Sequence, residues 1–286
     1  MDNQSFSVRE GVLSYWDLGQ ETDPDTLRQG LDDLGYRGMS LNHRTYPMAL
    51  KAALSLVDIP RTIVRKLKRD GQGRDGYAIV REDVKVDENE YDTVATARVD
   101  ADGQVTVERG WGAVDEYQLR QKTAHFRRVL PSGSVSQVLV GLTQTLGGVT
   151  VRPTGGLYFI PVAKLDAWKA IAAVVERSAT DGTENHISVV PFEFNSGTLR
   201  DIRRAIIAEV TAEAKEIADE LRQGFKDDAA VTRRAFRACQ LRAKTGEYER
   251  LLGETLVACR QALDEAANAV TVTQGVQESD AFADVF

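Results

Sequence analysis

From Ser196 to about Val270, apolar residues recur every three or four positions with little interruption. Leu199, Ile202, Ile206, Val210, Ile217 and Leu221 form the stripe of one helix ending near Arg222. Leu241, Tyr248, Leu252, Cys259, Leu263 and Ala266 form the stripe of a second, spanning about Val231 to Val270. A period near 3.5 residues held over this length predicts an antiparallel helical hairpin or coiled coil. Such a stripe has to be covered, either within the chain or by a second copy of it. Ser196 or Thr198 is expected to cap the first helix. The polar, acidic stretch 271–286 is expected to be a flexible tail.

Upstream the periodicity is mixed. "GVLSYWDL" (11–18) alternates as a short strand, and two short helices follow through "TLRQGLDDLG" and "YPMALKAALSLV". The runs "RTIVRKL", "GYAIVRED", "TVATARVD" and "QVTVERG" predict a small antiparallel sheet over 61–109, with an Asp-Gly hairpin signal at Asp102-Gly103. Helices through "VDEYQLRQKTAHFRRVL" and "SVSQVLVGLTQTLGG" precede a hairpin of 149–152 and 157–160, a helix through "AKLDAWKAIAAVVERSA" and a strand at 186–194. The class is therefore α+β: a small antiparallel sheet with flanking helices, a second α-β-β-α-β unit, and the long C-terminal helices. The expected domains are 1–130, 131–195 and 196–270, followed by the tail 271–286.

Hydrophobic residues make up 42% of the 286, enough for a substantial core. The net charge of −7 opposes any attraction of the whole chain to nucleic acid or anionic lipid, leaving only local basic patches to serve. The first residues, "MDNQSFSVRE", lack the basic start and apolar run of a signal peptide, and no apolar run is long enough to span a membrane. A cytoplasmic protein with no membrane partner is expected. Cys239 and Cys259, the two cysteines, read as buried free thiols of a reducing compartment.

"VRPTGGLYFIPV" (151–162) is the most distinctive short segment. A phosphate loop needs a Lys after its last glycine and a helix behind it; here Leu157 and Tyr158 follow, and then a strand. Turn chemistry fits better: Pro153 presets φ, Gly155 and Gly156 accept positive φ, and the Tyr158 strand is buried on both faces. The helix before this hairpin carries no Arg or Lys, which leaves a winged-helix duplex-binding mode without its cations.

The strongest candidate for binding nucleic acid is 60–74, where Arg61, Arg65, Lys66, Lys68, Arg69 and Arg74 face one acid, Asp70. Such cations on a strand and loop can follow a single-stranded phosphate backbone, with Tyr77 as a stacking face. They serve equally as the solvated guard of a sheet edge. His43, His125 and His186 form no catalytic or metal-binding pattern, and the acidic run 83–92 lacks calcium-loop spacing. No catalytic residue, cofactor or metal is assigned. In the tail, Phe282 and Phe286 alternate with Asp280 and Asp284, a pattern suited to docking an aromatic ring into an apolar pocket rimmed by cations.

Arg152, Pro153, Gly155, Gly156, Tyr158, Phe159 and Pro161 resemble an Arg-Pro-x-Gly-Gly-Val-Tyr-Phe-Val-Pro block of uncharacterised proteins encoded by phages, archaeal viruses and prokaryotes. Leu157 and Ile160 are conservative departures from that block. The resemblance implies a shared fold over 40–270 and no activity. The leading expectation is a non-enzymatic interaction or assembly protein, self-associating or partner-binding through its C-terminal helices. The alternative is a nucleic-acid-binding accessory protein that uses 61–74.

Overall fold

The computed structural model describes residues 11–283 except 40, 85–88, 111, 113, 153–154, 193–194 and 224–227. In chain order the elements are β1 (Gly11–Leu18), α1 (Pro24–Asp33), α2 (Tyr46–Leu54), β2 (Thr62–Leu67), β3 (Asp75–Val84), β4 (Asn89–Val99), β5 (Val105–Arg109), α3 (Glu116–Arg128), α4 (Ser132–Thr145), β6 (Val149–Thr150), β7 (Tyr158–Pro161), α5 (Leu165–Arg177), β8 (Asn185–Phe192), α6 (Ser196–Arg222), α7 (Asp228–Leu252) and α8 (Val257–Ala283). The class is α+β, with two four-stranded sheets ordered β2-β3-β4-β5 and β6-β7-β1-β8. The chain forms two compact units: unit 1 holds residues 1–16, 141–169 and 187–286, and unit 2 holds 17–140 and 170–186.

In unit 2, α2 and α3 cover one face of the sheet β2–β5. Ala49, Leu50, Ala53 and Leu54 of α2 and Leu119 and Phe126 of α3 pack against Tyr77, Ile79, Ala95, Ala97 and Val107. Thr45 caps α2. Beside it the buried Arg44 donates to the carbonyls of Gln20, Phe126 and Val129 and lies 5.2 Å from the centre of the Phe126 ring. The bonds to Phe126 and Val129 satisfy carbonyls at the C-terminal end of α3, where helical partners run out. A polar node lies where α1 begins and α5 ends. Asn185 donates to the Thr22 hydroxyl (2.9 Å) and the Val175 carbonyl (3.0 Å), and its own side-chain oxygen accepts from the Gly19 N–H (3.1 Å).

In unit 1, β1 lies between β7 and β8. Leu13 opposes Phe159, Phe159 opposes Val149, and this face packs into the core of α6–α8 with Ile206, Val210, Tyr248 and Cys259. On the other face Trp16 stacks on Tyr158 at 4.7 Å, and Trp168 donates its ring N–H to the Ser14 hydroxyl at 2.9 Å. Arg234–Glu220 and Lys244–Glu209 set α7 antiparallel to α6, and Arg242–Asp264 sets α8 antiparallel to α7.

The C-terminal region is thus three helices, not the expected two. The chain breaks after Leu252 because Gly253 takes φ 69°, a left-handed helix stop that glycine adopts without steric cost. Arg260 and the Leu256 N–H both bind Glu249 across this corner, and the Arg260 guanidinium holds that carboxyl below its usual range. Helix α6 is capped by Asn195, with Thr198 returning the reciprocal bond, instead of by Ser196 or Thr198. Helix α8 runs on to Ala283, through most of the stretch expected to be a flexible tail.

The two thiols differ, against the expectation that both are buried. Cys239 is exposed, whereas Cys259 is enclosed and burial pushes its thiol up to about 11. An Ellman titration of native protein is expected to label Cys239 alone, with the second thiol reacting only in denaturant. Rapid native labelling of both would contradict the packing around Cys259.

Candidate functional site

Strand β2 is one edge of the unit 2 sheet, paired on one side only, with Lys66 opposite Tyr77 and Val64 opposite Ile79. The chain enters it through Arg61, held at φ 57°, a left-handed conformation that costs a non-glycine residue about 1–2 kcal/mol. At the opposite edge, β5 is closed by α3. Glu116 accepts the Val107 N–H at 2.8 Å, and Arg120 donates to the Val105 carbonyl at 3.2 Å. Nothing comparable covers β2: among the described residues, no hydrogen bond reaches its outward backbone. Every second residue of an edge strand presents N–H and C=O groups outward, so β2 offers an open template for another strand.

The six cations of 61–74 divide into two groups. Arg69 pairs with Asp75 at 2.6 Å, and Arg74 pairs with Asp70 at 2.9 Å and Glu108 at 2.8 Å. Arg98 joins this network through Glu108 at 3.0 Å. The Arg74 backbone N–H, followed by its guanidinium, holds the Asp70 carboxyl below its usual range. Arg61, Arg65, Lys66 and Lys68 are exposed and have no carboxylate partner among the described residues. Tyr77 is not a stacking face: it is 6% exposed in the core under β2, and burial pushes its phenol up.

Alongside β2 lies a hollow of about 370 Å³ lined by Leu54, Leu56, Val57, Ile59 and Val64, with Asp58 as its one acid. Leu56 is 56% exposed at its mouth. Its walls come from the end of α2, the α2–β2 connection and β2, with no residue of β3, so it lies beside the free edge. These apolar residues were invisible as a site in the sequence, because "SLVDIP" reads as an ordinary helix end. The usable signal was a short apolar run leading straight into a basic strand.

A larger cleft of about 700 Å³ lies in unit 1 between the end of α4 and helices α6 and α7. Lys244 there bonds Glu209 and donates to the Gly148 carbonyl, Tyr248 donates to the Gly147 carbonyl, and Arg237 pairs with Glu213 and Glu216. Its central cations are thus spent on acids and on the carbonyls that follow α4, which makes it a joint of the fold. Of the histidines, His125 contacts Glu21 at 2.7 Å and His186 lies 3.6 Å from Glu176. Among the described residues, no group of three or more His, Cys, Asp or Glu is placed to hold a metal.

The remaining sequence candidates belong to unit 1 or lie outside the described residues. Gly155 and Gly156 take φ 75° and 82°, as the turn requires, and Tyr158 is buried in β7. Pro153 and Phe286 lie outside the described residues; Phe282 falls within α8, its side chain undescribed. No described helix is long and apolar enough to cross a membrane. No curated protein and no solved structure matches the chain. One family does, over residues 11–279 and so across both units and the edge just described: the chain belongs to the family of unknown function DUF6744.

Proposed function

We propose that this chain is a non-catalytic interaction or assembly component whose partner surface is the basic β2 edge, and that the partner is an acidic protein. The observation that carries this is the grouping, on and beside an open strand edge, of four exposed cations that have no carboxylate partner among the described residues, next to an apolar hollow. The apolar stripe of α6–α8 is already consumed in the unit 1 core, so the helices contribute scaffold more than docking surface. An origin in a phage or mobile element belongs to the same reading and rests on the Arg152–Pro161 block.

The second reading, single-stranded nucleic acid on the same cations, draws on Arg61, Arg65, Lys66 and Lys68. It loses Tyr77 to the core and Arg69 and Arg74 to acids. Fluorescence anisotropy against labelled polyglutamate and labelled oligo-thymidine at low salt separates the two. The chain is expected to bind polyglutamate, and the combined R65E, K66E and K68E replacement to weaken it by about tenfold or more. Tighter binding of oligo-thymidine would transfer the surface to the second reading, and failure to bind either polymer would remove both.

A further inference from the structure

Resting on that reading of the surface, we infer that the partner docks by strand addition: an extended acidic segment joins β2 as a fifth strand and seats one apolar side chain in the hollow. The backbone supplies the template. β5 is sealed by Glu116 and Arg120, so the sheet can grow only past β2. At about 3.3 Å per residue, the edge of β2 is roughly 20 Å long, enough for a six-residue partner strand.

Charge selects the occupant. A second copy pairing edge to edge through β2 would bring Arg65 and Lys66 of both copies together, and like charges across strands are unfavourable. An acidic strand reverses that sign. A nucleic-acid backbone offers phosphate acceptors but no alternating donors, so it cannot pair with the outward N–H and C=O row as a strand does.

The register follows from the same residues. Arg65, Lys66 and Lys68 lie toward the end of β2 and just beyond it, whereas the hollow opens beside Val64 at the start and carries Asp58 among its lining residues. Acids of the ligand therefore belong beside Arg65 to Lys68. Its apolar anchor belongs beside Val64, where a carboxylate would meet Asp58. Strand addition takes affinity from main-chain bonds and specificity from alternate side chains, as this division requires.

The test uses the full chain and a short labelled peptide, Val-Phe-Val-Glu-Val-Glu-Val-Glu, capped at both ends, together with its reversed sequence. One of the two orders is expected to bind. N-methylation of one alternate set of its backbone amides should cost at least tenfold, while methylation of the other set costs little. Leu56→Asn, neutral and at an exposed position, should weaken the peptide while leaving polyglutamate binding unchanged. Equal tolerance of both N-methylated sets, or loss of both peptide orders while polyglutamate still binds, overturns strand addition and leaves the acid-binding surface standing. Loss of peptide and polyglutamate alike removes the surface itself. Displacement of the peptide by oligo-thymidine but not by polyglutamate overturns the choice of partner.

Discussion

Phe159→Ala is expected to remove about 3–5 kcal/mol from the stability of unit 1. The ring is fully buried, with edge-to-face contacts to Tyr248 at 6.3 Å and Phe192 at 5.9 Å. Its strand neighbours Leu13 and Val149 lie in register on either side, so β1, β6 and α7 all converge on this one side chain. Truncation leaves a void that backbone pairing on both flanks prevents from collapsing, the condition under which cavity costs are largest. In a Trp111→Phe background, guanidinium unfolding followed by tryptophan fluorescence reads the effect through Trp16 and Trp168, both of unit 1. Phe192→Ala serves as a reference, because Phe192 is only partly buried and should cost less. A loss below about 1.5 kcal/mol for Phe159→Ala would contradict the packing described.

The second large effect is polar. Asn185→Ala should cost unit 2 about 2–4 kcal/mol, well beyond what its small side chain contributes in apolar contact. The amide serves three partners at once, and two of them, Thr22 and Val175, lie in the interior. Thr22 is itself bridged to Leu130 and Ala179, so an orphaned hydroxyl there disturbs the point where three segments meet. Thermal unfolding of the variant beside Thr22→Val decides the matter. If the network is real, the two losses will be clearly less than additive in the double variant, because each single change already breaks the shared bond. Full additivity would mean that the two residues act independently.

Local chemistry in the sequence revealed much of this molecule. The four strands of unit 2 fall where β-rich runs occur, and β4 and β5 are joined by a Gly103 turn at φ 86°; the positive φ of Gly155 and Gly156 and the buried Tyr158 strand also follow from residue types alone. What was hidden depends on distant partners. The neutralisation of Arg74 comes partly from Glu108, on a strand with no proximity in sequence, so a count of charges within 60–74 overstated the free cations. Tyr77 looked available because it follows closely on the Gly-rich loop "DGQGRDG", yet it packs into the core with residues of α2. The break at Gly253 lay within an unbroken apolar rhythm, where a lone glycine is ordinarily tolerated. The hollow beside β2 needed the α2–β2 connection folded back along the strand, which no periodicity encodes.

The order β6-β7-β1-β8 has a consequence for how the chain is made. Ser14 sits near the start, yet it bonds Trp168, 154 residues later, and the Ser188 carbonyl, 174 residues later. At ribosomal rates of about 5–20 residues per second, β1 waits roughly 8–30 s after synthesis before either flanking strand exists. Throughout that interval "GVLSYWDL" lacks both flanking strands, while the four strands of unit 2's own sheet are all made before it ends. Unit 1 therefore matures last, and β1 is the strand that waits longest for its partners. A chaperone that shields β1 would raise the yield of this protein more than one acting on its helices.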